Sequence, residues 1–178
     1  MPNFKTLILL SVLGGCISPP SDSLSPRKSK FFDLVTYMQS EAQRLNLNGI
    51  KVEKILFVNA ESDTIYPPEF NFSTELAIFE KANINKIAWE DQYNIDSTPS
   101  FTRYSAIDPS LQVKYLQINK NENGDITSLE IEKSSESPLS SNRQILDYSP
   151  ASGYKISSTQ KIILAEEKKI EIIVNFIQ

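Results

Sequence analysis

The chain has 178 residues, a formal net charge of −4, one cysteine and no histidine. That length suffices for one domain with a real core. The mildly acidic balance, with no Lys/Arg block, argues against nucleic acid as a partner and against electrostatic docking on anionic headgroups. The missing histidine excludes Ser-His-Asp and Cys-His catalysis, histidine metal sites and the usual proton shuttle near neutral pH.

Residues 1–15 have the order of an export signal: one cation, Lys5, an apolar run over 7–13, then Gly14 and Gly15. The run is far shorter than the roughly 20 residues of a membrane-crossing helix. Cys16 follows directly. It is either an incidental cysteine behind a generic signal or the acceptor of a lipid. The second reading is favoured, because Leu13-Gly14-Gly15-Cys16 resembles the bacterial lipobox. Small residues there let the peptidase approach the backbone just before the modified cysteine. A lone cysteine in an exported chain also has no internal disulfide partner, and lipidation supplies its role. Cleavage between Gly15 and Cys16, with palmitate-type acylation of Cys16, is the expectation. Two or more acyl chains hold a protein on a membrane where one does not. Residues 16–30 then read as a tether, dominated by serine and proline with Pro19-Pro20 favouring extended chain.

Residues 31–178 read as a single globular domain. The spacing of Phe31, Leu34, Val35, Met38, Ala42 and Leu45 predicts a helix over 31–46, stopped near Asn46 to Gly49. A strand over 51–59 turns at Asn59-Ala60 and returns over 61–66, where Pro67-Pro68 ends it. A second helix is predicted over 73–82, capped by Ser73, with Glu75 in its first turn. The connection that follows carries the only tryptophan, Trp89, expected to pack beneath it.

From Ser100 onward every signal is β, with six strand-like runs separated by turn chemistry. If Asn123-Gly124 is the turn, Ile118 faces Leu129 and Leu116 faces Ile131 on one side, while Gln117–Glu130 and Tyr115–Glu132 share the other. A one-residue slip would destroy that match. Toward the end, Ile162, Leu164, Ile170, Ile172, Val174 and Phe176 share parity across an odd-length loop, which predicts one apolar side. The class is α+β, a curved antiparallel meander with about two helices on one face.

Few constellations carry chemistry. Ser158-x-x-Lys161 has the letters of the serine–lysine motif of penicillin-recognising enzymes, but in a strand that spacing points the side chains to opposite faces. Ser25-x-x-Lys28 lies in the tether. Residues 119–130 resemble an EF-hand calcium loop, with Asn119, Asn121, Asn123, Gly124, Ile126 and Glu130 at the expected offsets. Amides stand where carboxylates supply affinity, and the flanks alternate as strands, so a hairpin turn is preferred. Glu90-Asp91 is an acidic pair beside Trp89 and Tyr93, read as a solvated turn. Asn71-x-Ser73 has the letters of a glycosylation sequon. No cofactor, metal or catalytic residue is expected.

The layout of lipobox, short tether, a helix opening with "FFDL" and the strand "KVEKILFVN" resembles a family of Bacteroidota outer-membrane lipoproteins without an assigned activity. The segment "TELAIFEKANINKIAWEDQY" is similar to that family's pattern, with Asn83 where aspartate is more usual, and "ENGDITSLEI" and "LDYSPASGYKISSTQKI" fit its hairpins. The resemblance implies an envelope lipoprotein and carries over no catalytic residue. The expectation is a non-enzymatic binding or structural module, held on the membrane through Cys16, with an envelope protein as partner. "CISPPSD" lacks the acidic signal of surface-exposed relatives, which favours the periplasmic face of the outer membrane. The alternative is a carrier or sensor of a hydrophobic ligand, resembling the half-barrel of lipoprotein carriers. Its lining would be Phe32, Val35, Met38, Leu116, Ile118, Leu129, Ile131, Ile172 and Val174, unless these residues simply form a core.

Overall fold

The computed structural model describes residues 30–177. The signal, the Gly15–Cys16 cleavage site and the tether through residue 29 lie outside the described residues. Helix α1 spans Leu34–Leu47 and buries Leu34, Met38, Ala42 and Leu45. It starts later than the apolar spacing suggests because Asp33 caps it, accepting from the Thr36 backbone N–H at 3.1 Å. Phe31 and Phe32 precede the helix and are pinned by Asn85, whose Oδ1 accepts from Phe31 N at 3.2 Å and whose Nδ2 donates to Phe32 O at 2.8 Å. Gly49, at φ +59°, takes the left-handed turn that releases the chain into the sheet.

Strands β1 (Lys51–Val58) and β2 (Glu61–Ile65) form the expected hairpin around Asn59. Helix α2 covers Phe72–Glu80. Its cap is Asn71, which accepts from Thr74 N at 3.2 Å, and not Ser73. Ser73 lies inside the first turn, where its hydroxyl accepts from Asn46 Nδ2 at 3.4 Å. A short 3-10 turn at Ile87–Trp89 follows. Trp89 packs against the core edge near Tyr93, with the Lys86 ammonium 3.9 Å from its ring centroid.

The remaining strands are β3 (Tyr93–Ser97), β4 (Phe101–Ala106), β5 (Val113–Lys120), β6 (Ile126–Ser137), β7 (Ser140–Ser149), β8 (Gly153–Ile162) and β9 (Lys168–Ile177). They build one antiparallel sheet in the order β2-β1-β9-β8-β7-β6-β5-β4-β3, so the fold is α+β with a curved, unclosed meander. The N-terminal hairpin joins through β1–β9, with Val52 opposite Phe176 and Leu56 opposite Ile172. The β5–β6 register has Ile118 opposite Leu129 and Leu116 opposite Ile131, as the alternation requires. The two-residue turn is loosened by a bulge at Asn119/Lys120.

Leu164 departs from its expected place. Gln160 pairs with Lys168, so the odd loop keeps Ile170, Ile172, Val174 and Phe176 on one side, but Leu164 sits in the turn itself, fully exposed at φ +62°. Both helices pack on one sheet face over Leu116, Ile118, Leu129, Ile131, Leu146, Tyr148, Tyr154 and Val174. Each fully enclosed Leu or Ile contributes about 1.5–3 kcal/mol of transfer free energy. Two polar ties fix the helices laterally. Tyr148 Oη donates to Glu41 Oε2 at 2.6 Å, and Tyr154 Oη donates to Glu75 Oε2 at 2.7 Å beside the Lys54–Glu75 ion pair.

Candidate functional site

Because side chains alternate across a strand, covering one face with helices leaves the other face to solvent. On it lie Arg103, Tyr115, Gln117, Glu130, Glu132, Arg143, Asp147, Lys155, Ser157 and Glu171. These are not scattered charges. The Arg103 guanidinium stacks 3.9 Å from the Tyr115 ring centroid and donates to Gln117 Oε1 at 2.9 Å. Tyr115 donates to Glu130 on the next strand. Arg143 grips Glu132 with two bonds, at 2.8 and 3.1 Å. Lys155 pairs with Glu171 at 2.9 Å, and Ser157 donates to the same carboxylate at 3.1 Å.

A cleft of about 270 Å³ opens on this face beside the 149–153 turn, over the ends of β6, β7, β8 and β9. Its polar wall is Ser128, Glu130, Asp147, Ser149, Lys155 and Asn175. Glu130 and Asp147 are direct cross-strand partners, and Asp147 is in turn opposite Lys155. Burial pushes the Asp147 carboxyl above its usual range, the Glu130 charge adds to this, and Lys155 only partly offsets it. Lys155 itself is engaged by Glu171, whose carboxyl the lysine holds below the ordinary value. Burial and the bond to Glu130 raise the Tyr115 phenol to about 12. Two further depressions lie toward the β8–β9 end, one around Phe57, Ser157 and Glu171 and one around Arg143, Thr159 and Lys161. The face is a ribbon of paired charges and hydroxyls suited to polar recognition.

The residues singled out from sequence fall elsewhere. Ser158 and Lys161 sit on opposite faces of β8; Lys161 is bound to Glu167 at 2.9 Å, which raises its pKa and keeps it a cation unfit as a base. The EF-hand letters do not converge. Asn121 Oδ1 accepts from the N–H groups of Asn123 and Asp125, closing the turn, while Asn119 binds Ser128 and Glu130 binds Tyr115 along the strands. Asp91 is exposed and paired with Lys30 at 2.8 Å. Asn71 serves as the helix cap. Among the described residues, no group of three or more Cys, His, Asp or Glu side chains is placed to hold a metal.

Of the residues considered as ligand lining, Met38, Leu116, Ile118, Leu129, Ile131 and Val174 are each at most 1% exposed within the core, and Phe32 and Ile172 pack against it. Val35 is half-buried. The charged ladder on the opposite face could have been found by reading the hairpin register for its polar parity, since Gln117–Glu130 and Tyr115–Glu132 were already its members. No family model, no curated protein and no solved structure matches the chain.

Proposed function

We propose that the protein is a lipid-anchored, non-enzymatic binding module of the outer membrane, acylated at Cys16 and facing the periplasm, whose bare sheet face receives a partner protein. The anchor rests on Leu13-Gly14-Gly15-Cys16 and the absence of any second cysteine. The observation that carries the binding role is the sheet's asymmetry. Its helix side is a closed apolar core, and its other side is a paired-charge surface with clefts. Enclosure of the inner residues favours this role over a carrier of hydrophobic ligands, which would need those same side chains to line a chamber. The broad, mixed-sign surface suits a protein partner, since complementary charges set specificity and register.

Two measurements on the full chain in a bacterial host test this. An alkyne fatty acid should label the protein and Cys16→Ser should abolish the label, with the labelled protein floating with outer membrane. A photo-crosslinking amino acid at Thr159, on the bare face, should yield a discrete adduct, whereas at Gln43, on the exposed side of α1, it should not. An unlabelled wild type sinks the anchor, and adducts at neither position sink the binding role.

A further inference from the structure

At one end the sheet runs on past its last buried core positions, Ile131, Leu146 and Ile156. Beyond Lys133, which pairs with the first residue of β5, strands β6 and β7 continue through four more pairs, Ser134–Arg143 to Ser137–Ser140. The turn at their tip is Pro138-Leu139, and the β8–β9 turn lies beside it, with Ile163 N donating to Leu139 O at 2.9 Å. The two turns together present Leu139, Ile162, Ile163 and Leu164 at 66%, 47%, 60% and 103% exposure. Ala165 and Pro138 complete a tip without charge. Leu164 holds φ +62°, a region that L side chains bulkier than Asn rarely adopt, and the conformation turns its side chain outward. A branched residue kept in that backbone and fully in water gains nothing from the fold itself.

Immediately behind the tip stand Lys161, Lys168 and Lys169, with Glu166 and Glu167 as the acids of the turn. Glu167 bridges Lys161 and Lys169, at 2.9 and 3.2 Å, which neutralises it. Aliphatic side chains at a projecting end, with long lysine stems behind them able to reach phosphate oxygens, have the arrangement of an interfacial membrane contact. Weak net charge suits a contact that is delivered to the membrane by another anchor.

The chain outside the described residues can deliver it. Its exit is fixed, because Phe31 and Phe32 are clamped at Asn85 and Phe32 N donates to Tyr104 Oη on β4. Tyr104, Leu116, Ile131, Leu146 and Ile156 form one cross-strand row. The tip therefore lies four strands across and six residues along from that exit, roughly 28 Å away at strand spacings of about 4.8 Å and a rise of about 3.3 Å. Extended chain from Cys16 to Lys30 reaches at most about 48 Å. An acylated Cys16 and the tip can thus meet one bilayer surface together.

We propose that Leu139, Ile162, Ile163 and Leu164 form a second membrane contact, inserting into the phospholipid interface and fixing the domain's orientation on the bilayer that Cys16 anchors. This rests on the lipoprotein reading above. The test uses the full chain, purified acylated from membranes and reconstituted into phosphatidylethanolamine–phosphatidylglycerol vesicles. Cys16 is the only native cysteine, so acylation leaves an introduced thiol as the sole site for the environment-sensitive dye NBD. Labels go on Leu164→Cys, on Ile163→Cys, and on Glu122→Cys in the β5–β6 turn at the other end of the sheet. The mass of the N-terminal peptide reports acylation independently. Acylated protein should show severalfold brighter, blue-shifted emission at 163 and 164, quenched by brominated lipid, and water-like emission at 122. Water-like emission at all three sites on acylated protein overturns the tip contact and leaves the anchor standing. Brightening that follows protein concentration and ignores brominated lipid assigns the tip to a second copy of the chain and overturns the contact. An unacylated N-terminal peptide overturns the anchor, and the two-point attachment with it.

Discussion

Glu130 and Asp147 stand directly opposite each other on β6 and β7, and among the described residues the Asp147 carboxylate has neither a hydrogen bond nor an ion pair of its own. Like charges facing across a ladder destabilise it; burial is the main cause that raises the Asp147 pKa, and the Glu130 charge adds to it. Asp147→Asn is expected to stabilise the protein at pH 7 by about 0.5 kcal/mol, because the group is only half-buried and the repulsion is partly screened. The folded pKa lies above the unfolded one, so the cost of the charge is full at neutral pH. It disappears as pH falls through the raised value and the folded state takes up the proton first. Thermal melts at pH 7 and pH 4 check this: the variant's advantage should shrink at the lower pH. A destabilised variant at pH 7 would mean that this carboxylate is needed in its charged form.

The Glu41–Tyr148 bond has the opposite pH signature. Burial alone would push the Glu41 carboxyl up, but bonds from Arg44 and Tyr148 together outweigh it and hold the pKa below the ordinary 4.5. The stabilisation is therefore complete above about pH 4.5 and lost as pH falls through the lowered folded value. Glu41→Gln should cost about 1 kcal/mol at pH 7 and progressively less as the pH falls below 4.5, and Tyr148→Phe should cost a similar amount at pH 7. Denaturant titrations of the two single variants and the double variant form the check. Because both remove the same bond, the double variant should cost less than the sum.

Gly153 and Gly124 both have positive φ, yet only one is sterically required. A Cβ on Gly153 would lie 1.9 Å from Val174 O, backbone of β9 that cannot yield without breaking the β8–β9 pairing. A Cβ on Gly124 meets nothing within 4 Å. Gly153→Ala should abolish or severely impair folding, whereas Gly124→Ala should fold and lose about 1 kcal/mol to left-handed strain. Circular dichroism and melting of the purified variants separate the two. Equal, mild effects would mean that β8 and β9 are less closely paired at that end.

Much of this fold was legible because strand alternation is a strong constraint. In 115–132 the apolar and charged residues sort cleanly by parity, and the observed register follows them pair by pair. Helix ends were less legible, since Asp33 and Asn71 compete as caps with Ser73 and with an apolar period that runs past the true start. Strand β3 was missed. It is a five-residue edge strand in which only Tyr93 is buried, so its sequence has little alternation to read. The bare sheet face was half legible. Its members carry the polar parity, but which face the helices would cover depends on how α1 and α2 cross the sheet, a long-range packing outcome that no local pattern encodes. Leu164 is the sharpest departure, because parity assumes a strand and the chain turns there.

All seven tyrosines have phenol pKa values above the ordinary 10, which predicts a steep alkaline transition. Burial is the largest cause for Tyr37, Tyr93, Tyr104, Tyr115, Tyr148 and Tyr154, and it takes Tyr93 and Tyr115 to about 12. Exposed Tyr66 is raised by its bond to Glu53. Tyr148 and Tyr154 also donate to Glu41 and Glu75, so their phenolates would face carboxylates. Above pH 10 the unfolded chain releases these protons while the folded chain keeps them. The unfolded state then binds fewer protons, and stability falls with rising pH from about 10 through 12. Phenolate absorbance near 295 nm should therefore rise together with loss of the β-sheet circular dichroism signal. Tyr154→Phe should be less stable at pH 8, having lost the Glu75 bond, yet decline more shallowly above pH 10, having one fewer proton to release. Phenols that titrate near pH 10 with the sheet signal intact would show that water reaches these rings in the folded protein, and that the helix–sheet core is looser than the burial of Tyr148 and Tyr154 requires.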